Sequence, residues 1–319
     1  MRTRLMSVTA ALLLASAITA AAQTAAPAPP APAPSAPVSG SIDFGGLFGD
    51  VNGDEARFER YRDTRNGLYS DIVLNKETNS YAFDAKAYHI GYRDQRYELN
   101  YDRNKLTFGF VFDSTPTNYT YKGITPWTLN GNTLSLPDDL QRGVEARTLA
   151  GVPCAYATSC TNLTTAAAAL ARGSVYNDVA RRGVEIQSKR ETVGFGLTYH
   201  ATEAVDVDVK FTSTAKSGTM PWAGAFSFNN INEFVLPIDH RTNDFAAGVE
   251  WASAKAMLRL GWDASYFSND IQTIIWDNPI RLTDFNNGNP TAPWDASGYI
   301  NGNGPAQGRM SLWPDSNMN

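Results

Sequence analysis

Three histidines, two cysteines and a series of regularly spaced carboxylates are the residues of this chain whose types could do chemistry. His89, His200 and His240 lie far apart and on different predicted elements, so they make neither a metal set nor a catalytic couple. There is no GxSxG, HExxH, P-loop or GxGxxG motif; Gly194 and Gly196 lack the third glycine and sit inside an alternating run. No CxxCH occurs, so the chain attaches no c-type haem of its own. Asp50, Asn52, Asp54 and Glu55 resemble half a calcium loop, but the glycine and closing glutamate are misplaced, and a solvated turn fits better. Cys154 and Cys160 have no further ligands near them and no CxxC spacing, so in an exported chain they read as a disulfide closing a small loop. These residues point to no enzyme.

The carboxylates behave differently, because they fall on the polar positions of runs that alternate polar and apolar residues. From Lys189 to Lys216, Val193, Phe195, Leu197 and Tyr199 alternate with Thr192, Gly194, Gly196 and Thr198. After Ala201-Thr202-Glu203-Ala204 the pattern resumes, with Val205, Val207, Val209 and Phe211 against Asp206, Asp208, Lys210 and Thr212. Period two puts one apolar and one polar face on each strand, and the intervening turn predicts an antiparallel hairpin. The remaining segments repeat the theme. Strands are expected over residues 41–48, 68–76, 81–89, 96–102, 105–113, 242–251 and 255–267, giving about nine with the hairpin.

The connections sort by length. Strands two to three, four to five, six to seven and eight to nine are joined by a few residues. Residues 49–67, 114–188, 217–241 and 268 onward form long connections, and only 90–95 breaks the rule. Short turns at one end and long loops at the other predict an outer-membrane β-barrel, the short turns periplasmic and the long ones extracellular. Aromatic strand ends such as Tyr97, Tyr101, Trp251 and Trp262 suit interfacial girdles. A secreted soluble β-protein is the competing reading, but it gives no reason for such sorting.

Compartment signals agree. Residues 1–22 read as a secretory signal peptide, with a basic start, an apolar run and an Ala20-Ala21-Ala22 cleavage pattern. Residues 23–38 form an Ala/Pro-rich periplasmic spacer. No later stretch is long and apolar enough for a membrane helix, so any crossing is made by strands. The net charge of −5 argues against a nucleic-acid partner. Residues 39–319 are then the N-terminal part of a barrel with a long extracellular loop at 114–188. Nine strands is an odd number, and residues 311–319 read as loop without a closing strand. The fold class expected is all-β, an antiparallel up-and-down transmembrane barrel, here an incomplete segment.

On this reading the polar set faces the lumen: Asp84, Lys86, Glu98, Asp206, Asp208, Lys210, Glu250, Arg259 and Asp263. Charges of both signs predict a wet, mixed interior without a single-sign ring. Gly109, Gly194, Gly196, Gly248 and Gly261 share these inward positions. Glycines there either ease sheet curvature or make room for something that fills the lumen.

Several stretches resemble the MtrB/PioB family of outer-membrane barrels. They are Gly91-Tyr92-Arg93-Asp94-Gln95-Arg96-Tyr97, then Pro116-Thr117-Asn118-Tyr119 through Thr125-Pro126-Trp127. Leu236-Pro237-Ile238-Asp239-His240-Arg241-Thr242, Trp276-Asp277-Asn278-Pro279 and residues 309–317 complete the set. The resemblance spans about residues 40–319, except the variable loop 129–183. It implies a barrel in the outer membrane of a Gram-negative bacterium that sheathes a periplasmic multihaem c-type cytochrome and supports extracellular electron transfer. An extracellular multihaem cytochrome is a second implied partner, with outer-membrane lipid around the wall. The barrel itself would carry no cofactor, the haems belonging to the partner. It would also make partner contacts through the lumen-facing set, Gly194 and Gly196 included. Some members carry a CxxC near the mature N-terminus, and this chain does not. A general diffusion porin or substrate channel is the alternative function.

Overall fold

A computed structural model describes residues 37–137, 140, 182–226, 230–279 and 307–318. The signal peptide, nearly all of the spacer, and Cys154 and Cys160 lie outside the described residues.

The elements run β1 (Ser39–Leu47), α1 (Glu55–Phe58), β2 (Gly67–Glu77), β3 (Ala82–Ile90), β4 (Gln95–Arg103) and β5 (Leu106–Thr125). Then come β6 (Thr128–Asn130), β7 (Thr133–Ser135), β8 (Arg182–Thr202), β9 (Val205–Phe226) and β10 (Asn230–Ala252). The last are β11 (Met257–Asn269), β12 (Thr273–Asp277), β13 (Gln307–Ser311) and β14 (Ser316–Met318). Ten strands make one sheet in the order β1-β2-β3-β4-β5-β8-β9-β10-β11-β14, every neighbouring pair antiparallel. This is the up-and-down order of a barrel wall.

Register carries the period-two pattern across the sheet. Leu99, Phe110, Phe195, Phe211 and Phe245 lie side by side on consecutive strands, and Tyr101, Phe108, Leu197, Val209, Ala247 and Trp262 form the adjacent row. Ring centroids of Phe195 and Phe211 are 5.3 Å apart, and those of Tyr97 and Phe112 5.5 Å, the spacing at which cross-strand aromatic pairs stabilise a sheet. This apolar face is bare: Phe44 is 84% exposed, Leu260 67% and Trp262 51%. An apolar sheet face left uncovered in water would aggregate, whereas hydrocarbon is the solvent that suits it. The band gives way at Ser213 and Asn243, in the row of Phe112 and Val193, and ends at the next row, Gln95, Ser114, Glu191, Ala215 and Arg241, where charged groups first occupy the apolar side.

Within the long loops expected at 114–188 and 217–241, the described residues are largely strand. β5 runs on to Thr125, β8 starts at Arg182, β9 continues to Phe226 and β10 begins at Asn230. Beyond the lipid band both faces meet water or protein, so the alternation fades and the stretches look irregular. Pro116, Pro221 and Pro237 strengthen that impression, yet each sits where its strand has a single neighbour, and a missing N–H is tolerated. The sheet also has ten strands rather than nine, because Ser316–Met318 pairs with Ser265–Phe267 in a stretch expected to be loop.

Gly218 marks a fork. Above Ser188 and Gly218, β8 and β9 part, and Thr219 Oγ1 closes the ladder by accepting from Gln187 N (3.2 Å) and donating to Gln187 O (3.4 Å). Gly218 has φ +114°, and a Cβ there would lie 2.3 Å from Gln187 O, so only glycine fits.

If the bare face meets lipid, Phe195→Lys in the full-length protein should destabilise the folded barrel by about 2–4 kcal/mol. Thr198→Lys on the other face should change it by less than about 1 kcal/mol. Urea unfolding in detergent micelles compares the two.

Candidate functional site

The polar face is continuous across the same strands. One row runs Asp84, Asn100, Gly109, Gly196, Lys210, Ala246 and Asp263; the next runs Lys86, Glu98, Val111, Gly194, Thr212 and Asp244. A third joins Thr107, Thr198, Asp208, Gly248 and Gly261, and a fourth His200, Asp206, Glu250 and Arg259. All eleven sequence-based candidates therefore share one face, but they spread over six strands and do not converge on a point. Asp43, Asp71, Asp102, Asp113 and Asp244 lie on this face too and are absent from the candidates, although the same alternation marks them. With them included, carboxylates outnumber the cations of this face, Lys86, Arg96, Arg190, Lys210, Lys216 and Arg259. Both signs stand on this face, with acids in excess because those at strand ends add to those in mid-strand.

Ion pairs organise part of it. Arg259 Nη2 reaches Asp208 (3.1 Å) and its Nη1 reaches Glu250 (3.4 Å). Asp208 stands two strands from Arg259, so the pair spans β10 at Gly248. A Cβ on Gly248 would meet Asp208 Oδ1 at 2.9 Å, which gives this glycine a reason inside the chain. Lys86 pairs with Asp84 (3.1 Å), Arg96 with Asp113 (3.2 Å) and with Glu98, and His200 Nδ1 contacts Asp206 (2.7 Å). Gly109, Gly196 and Gly261 are unlike Gly248. The nearest atoms to an added Cβ lie at 3.6, 3.9 and 3.7 Å, ordinary contact distances, so packing within the chain does not demand glycine there.

A second structure lies beyond the lipid band on the same side. Phe234 and Leu236 continue the unbroken β10 register from Asp244, Gly248 and Glu250, so they share the polar face, about 27 to 34 Å beyond Asp244 along the strand. Against them packs a small sheet in the order β13-β12-β7-β6, with β7 and β12 parallel. Trp127, Leu134, Leu136, Leu140, Phe226, Ile274 and Trp276 complete its core, and Leu236 and Ile274 are fully buried. Trp127 Nε1 donates to Glu233 O (3.0 Å), and Leu136 N to Asp277 Oδ2 (2.8 Å). Gly224 and Gly308 lie flat on either side of the Trp276 indole, where a Cβ would collide at 2.4 and 2.3 Å. The sequence reading placed only loops here. The cap strands are three to five residues long, too short to show a period.

His240 joins this cap to the wall. Its ring packs on Phe267 (5.3 Å) and Trp313 (6.2 Å), while Asn269 holds the Trp313 carbonyl (2.9 Å) and its own N–H donates to Asp315 (2.7 Å). Burial, reinforced by Lys216 and opposed by Asp239, holds the His240 pKa below the usual imidazole value. Near α1, Asp54 caps the helix through Arg57 N, and Glu55 pairs with Lys122 on β5 (2.9 Å), which lowers the carboxyl pKa and raises that of the amine. Among the described residues, no cluster of three or more His, Cys, Asp or Glu side chains is placed to hold a metal.

The ten-stranded wall, bare apolar outside and polar inside, is matched by a family model. The model is described as "Putative outer membrane beta-barrel porin, MtrB/PioB" and covers residues 50–318. This chain belongs to the MtrB/PioB family. It is a porin-like outer-membrane β-barrel protein. No curated protein matches it.

Trp276→Ala should cost the cap about 3–5 kcal/mol, opening residues 273–277 and 307–311 to proteolysis while the wall keeps its heat-modifiable migration on gels. A second outcome concerns pH. Because His240 is docked neutral with a lowered pKa, docking is complete above about 6.5 and weakens as pH falls through that value. Acrylamide quenching of Trp313, taken as the difference from Trp313→Phe, should rise on acidification, and His240→Phe should abolish the rise.

Proposed function

We propose that this MtrB/PioB barrel is a sheath: its polar face lines a bore that houses a periplasmic multihaem c-type cytochrome, and electrons cross the outer membrane through that partner's haems. The observation that carries the reading is the glycine floor. Gly109 lies directly opposite Gly196, and neither is needed by the packing of this chain. Glycine inside a strand is unfavourable unless another backbone comes close, and a protein occupant supplies that backbone. The barrel does no redox chemistry; it insulates and positions. An extracellular multihaem cytochrome is the natural acceptor or donor at the cap end.

The acidic polar face favours a second reading, an open channel that prefers cations. One preparation separates the two. The full-length protein, extracted from outer membranes of cells that make the cytochrome, should carry a Soret band in fixed ratio to the barrel and conduct little in planar bilayers. A haem-free barrel with steady cation-selective conductance from the same cells would establish the channel instead.

A further inference from the structure

We infer that the occupant of the bore meets the polar face with a basic surface, its lysine and arginine side chains pairing with carboxylates that this chain leaves without a cation. The inference rests on the sheath reading and adds the chemistry of the contact.

The pairing pattern carries it. Lys86, Arg96 and Arg259 are already committed to Asp84, to Glu98 and Asp113, and to Asp208 and Glu250. Lys210, Arg190 and Lys216 have no ion pair among the described residues, but most of what remains is acidic. Asp43 and Asp71 stand directly opposite each other on β1 and β2, a like-charge cross-strand pair. Among the described residues, Asp71 accepts only the backbone N–H of His89 (2.6 Å) and Asp102 meets only the Thr107 hydroxyl (2.7 Å). Asp244 and Asp263 have no ion-pair partner among the described residues, and together with Lys210 they line a hollow of about 520 Å³ above Ala246.

Open to water, such carboxylates are unremarkable. Enclosed against another protein they lose their hydration, and an unpaired buried carboxylate is strongly unfavourable. An apolar or acidic occupant would leave them stranded, whereas a basic one neutralises them where they stand. The glycines fit the same picture. Gly109, Gly196 and Gly261 keep the wall low between the carboxylates, so that a facing backbone comes near enough for its side chains to reach them. Charge complementarity of this kind also steers assembly and makes it sensitive to salt.

The test uses the full-length barrel and its cytochrome in outer-membrane extracts. Carbodiimide activation of carboxylates should yield amide cross-links from Asp244, Asp263 or Asp102 to cytochrome lysines, mapped by mass spectrometry. Asp244→Asn with Asp263→Asn should remove the links at those two positions and weaken cytochrome retention by roughly tenfold or more, with release at lower salt. Glu203→Gln, on a short turn away from the polar face, should leave retention unchanged. If the cytochrome is retained but the polar face gives no cross-links and retention is indifferent to salt and to the paired substitution, the basic contact is overturned while the sheath stands. If no haem protein is retained at any ionic strength, the sheath reading itself fails. Should the paired variant not assemble, cross-linking of the unaltered protein still decides.

Discussion

Hydrocarbon offers no hydrogen bonds, so each backbone N–H and C=O within the membrane must be answered by a neighbouring strand. That demand fixes the rest of this structure. It requires a ladder without interruption from Leu106 to Phe112 against Phe195 and its neighbours, and from there through β9 and β10 to β11. An unbroken ladder locks register, and locked register keeps the Phe and Leu side chains of the band on one side. The polar face is the other half of the same constraint. Nothing there has to satisfy lipid, so it is free to carry charge, glycine and whatever recognition the bore needs.

Beyond the band the constraint lapses and the sheet behaves like soluble protein. Strands continue with a single neighbour, prolines enter them, and at Gly218 the wall divides into two projecting hairpins. The buried apolar core of the described residues gathers here, around Leu236, Ile274 and Trp276, rather than in the span. The two zones are stabilised by opposite arrangements, one with apolar groups outward in lipid and the other with apolar groups inward beneath a cap. Glu59 secures the α1 segment between them: its carboxylate accepts from Thr64 N (2.6 Å), and its carbonyl accepts from the Asn118 side chain (3.4 Å) on β5.

Sequence legibility follows the same division. Residues 193–199 and 205–211 could be placed on strands and faces from their alternation, because lipid on one side and polar contents on the other imprint it. Residues 216–240 could not, since no difference between the two sides remains to be imprinted, and Gly218, Pro221 and Pro237 imitate a loop. The candidate face was readable residue by residue, but its pairing was not. Arg259 reaches Asp208 across an intervening strand, and only the three-dimensional register shows that Gly248 is what lets it pass. Likewise, alternation marks Gly109 and Gly248 alike as inward, while the space around each separates them.

The parallel contact between β7 and β12 has a consequence for biogenesis. It joins segments far apart in the chain, and the Leu136 to Asp277 bond beside it closes 141 residues. Everything from β8 to β11 lies within that closure. Bringing such distant ends together is entropically unfavourable until the intervening hairpins have shortened the path. The cap strands therefore pair late, after the wall hairpins between them have formed, and the face around Phe234 and Leu236 stays uncovered until they do.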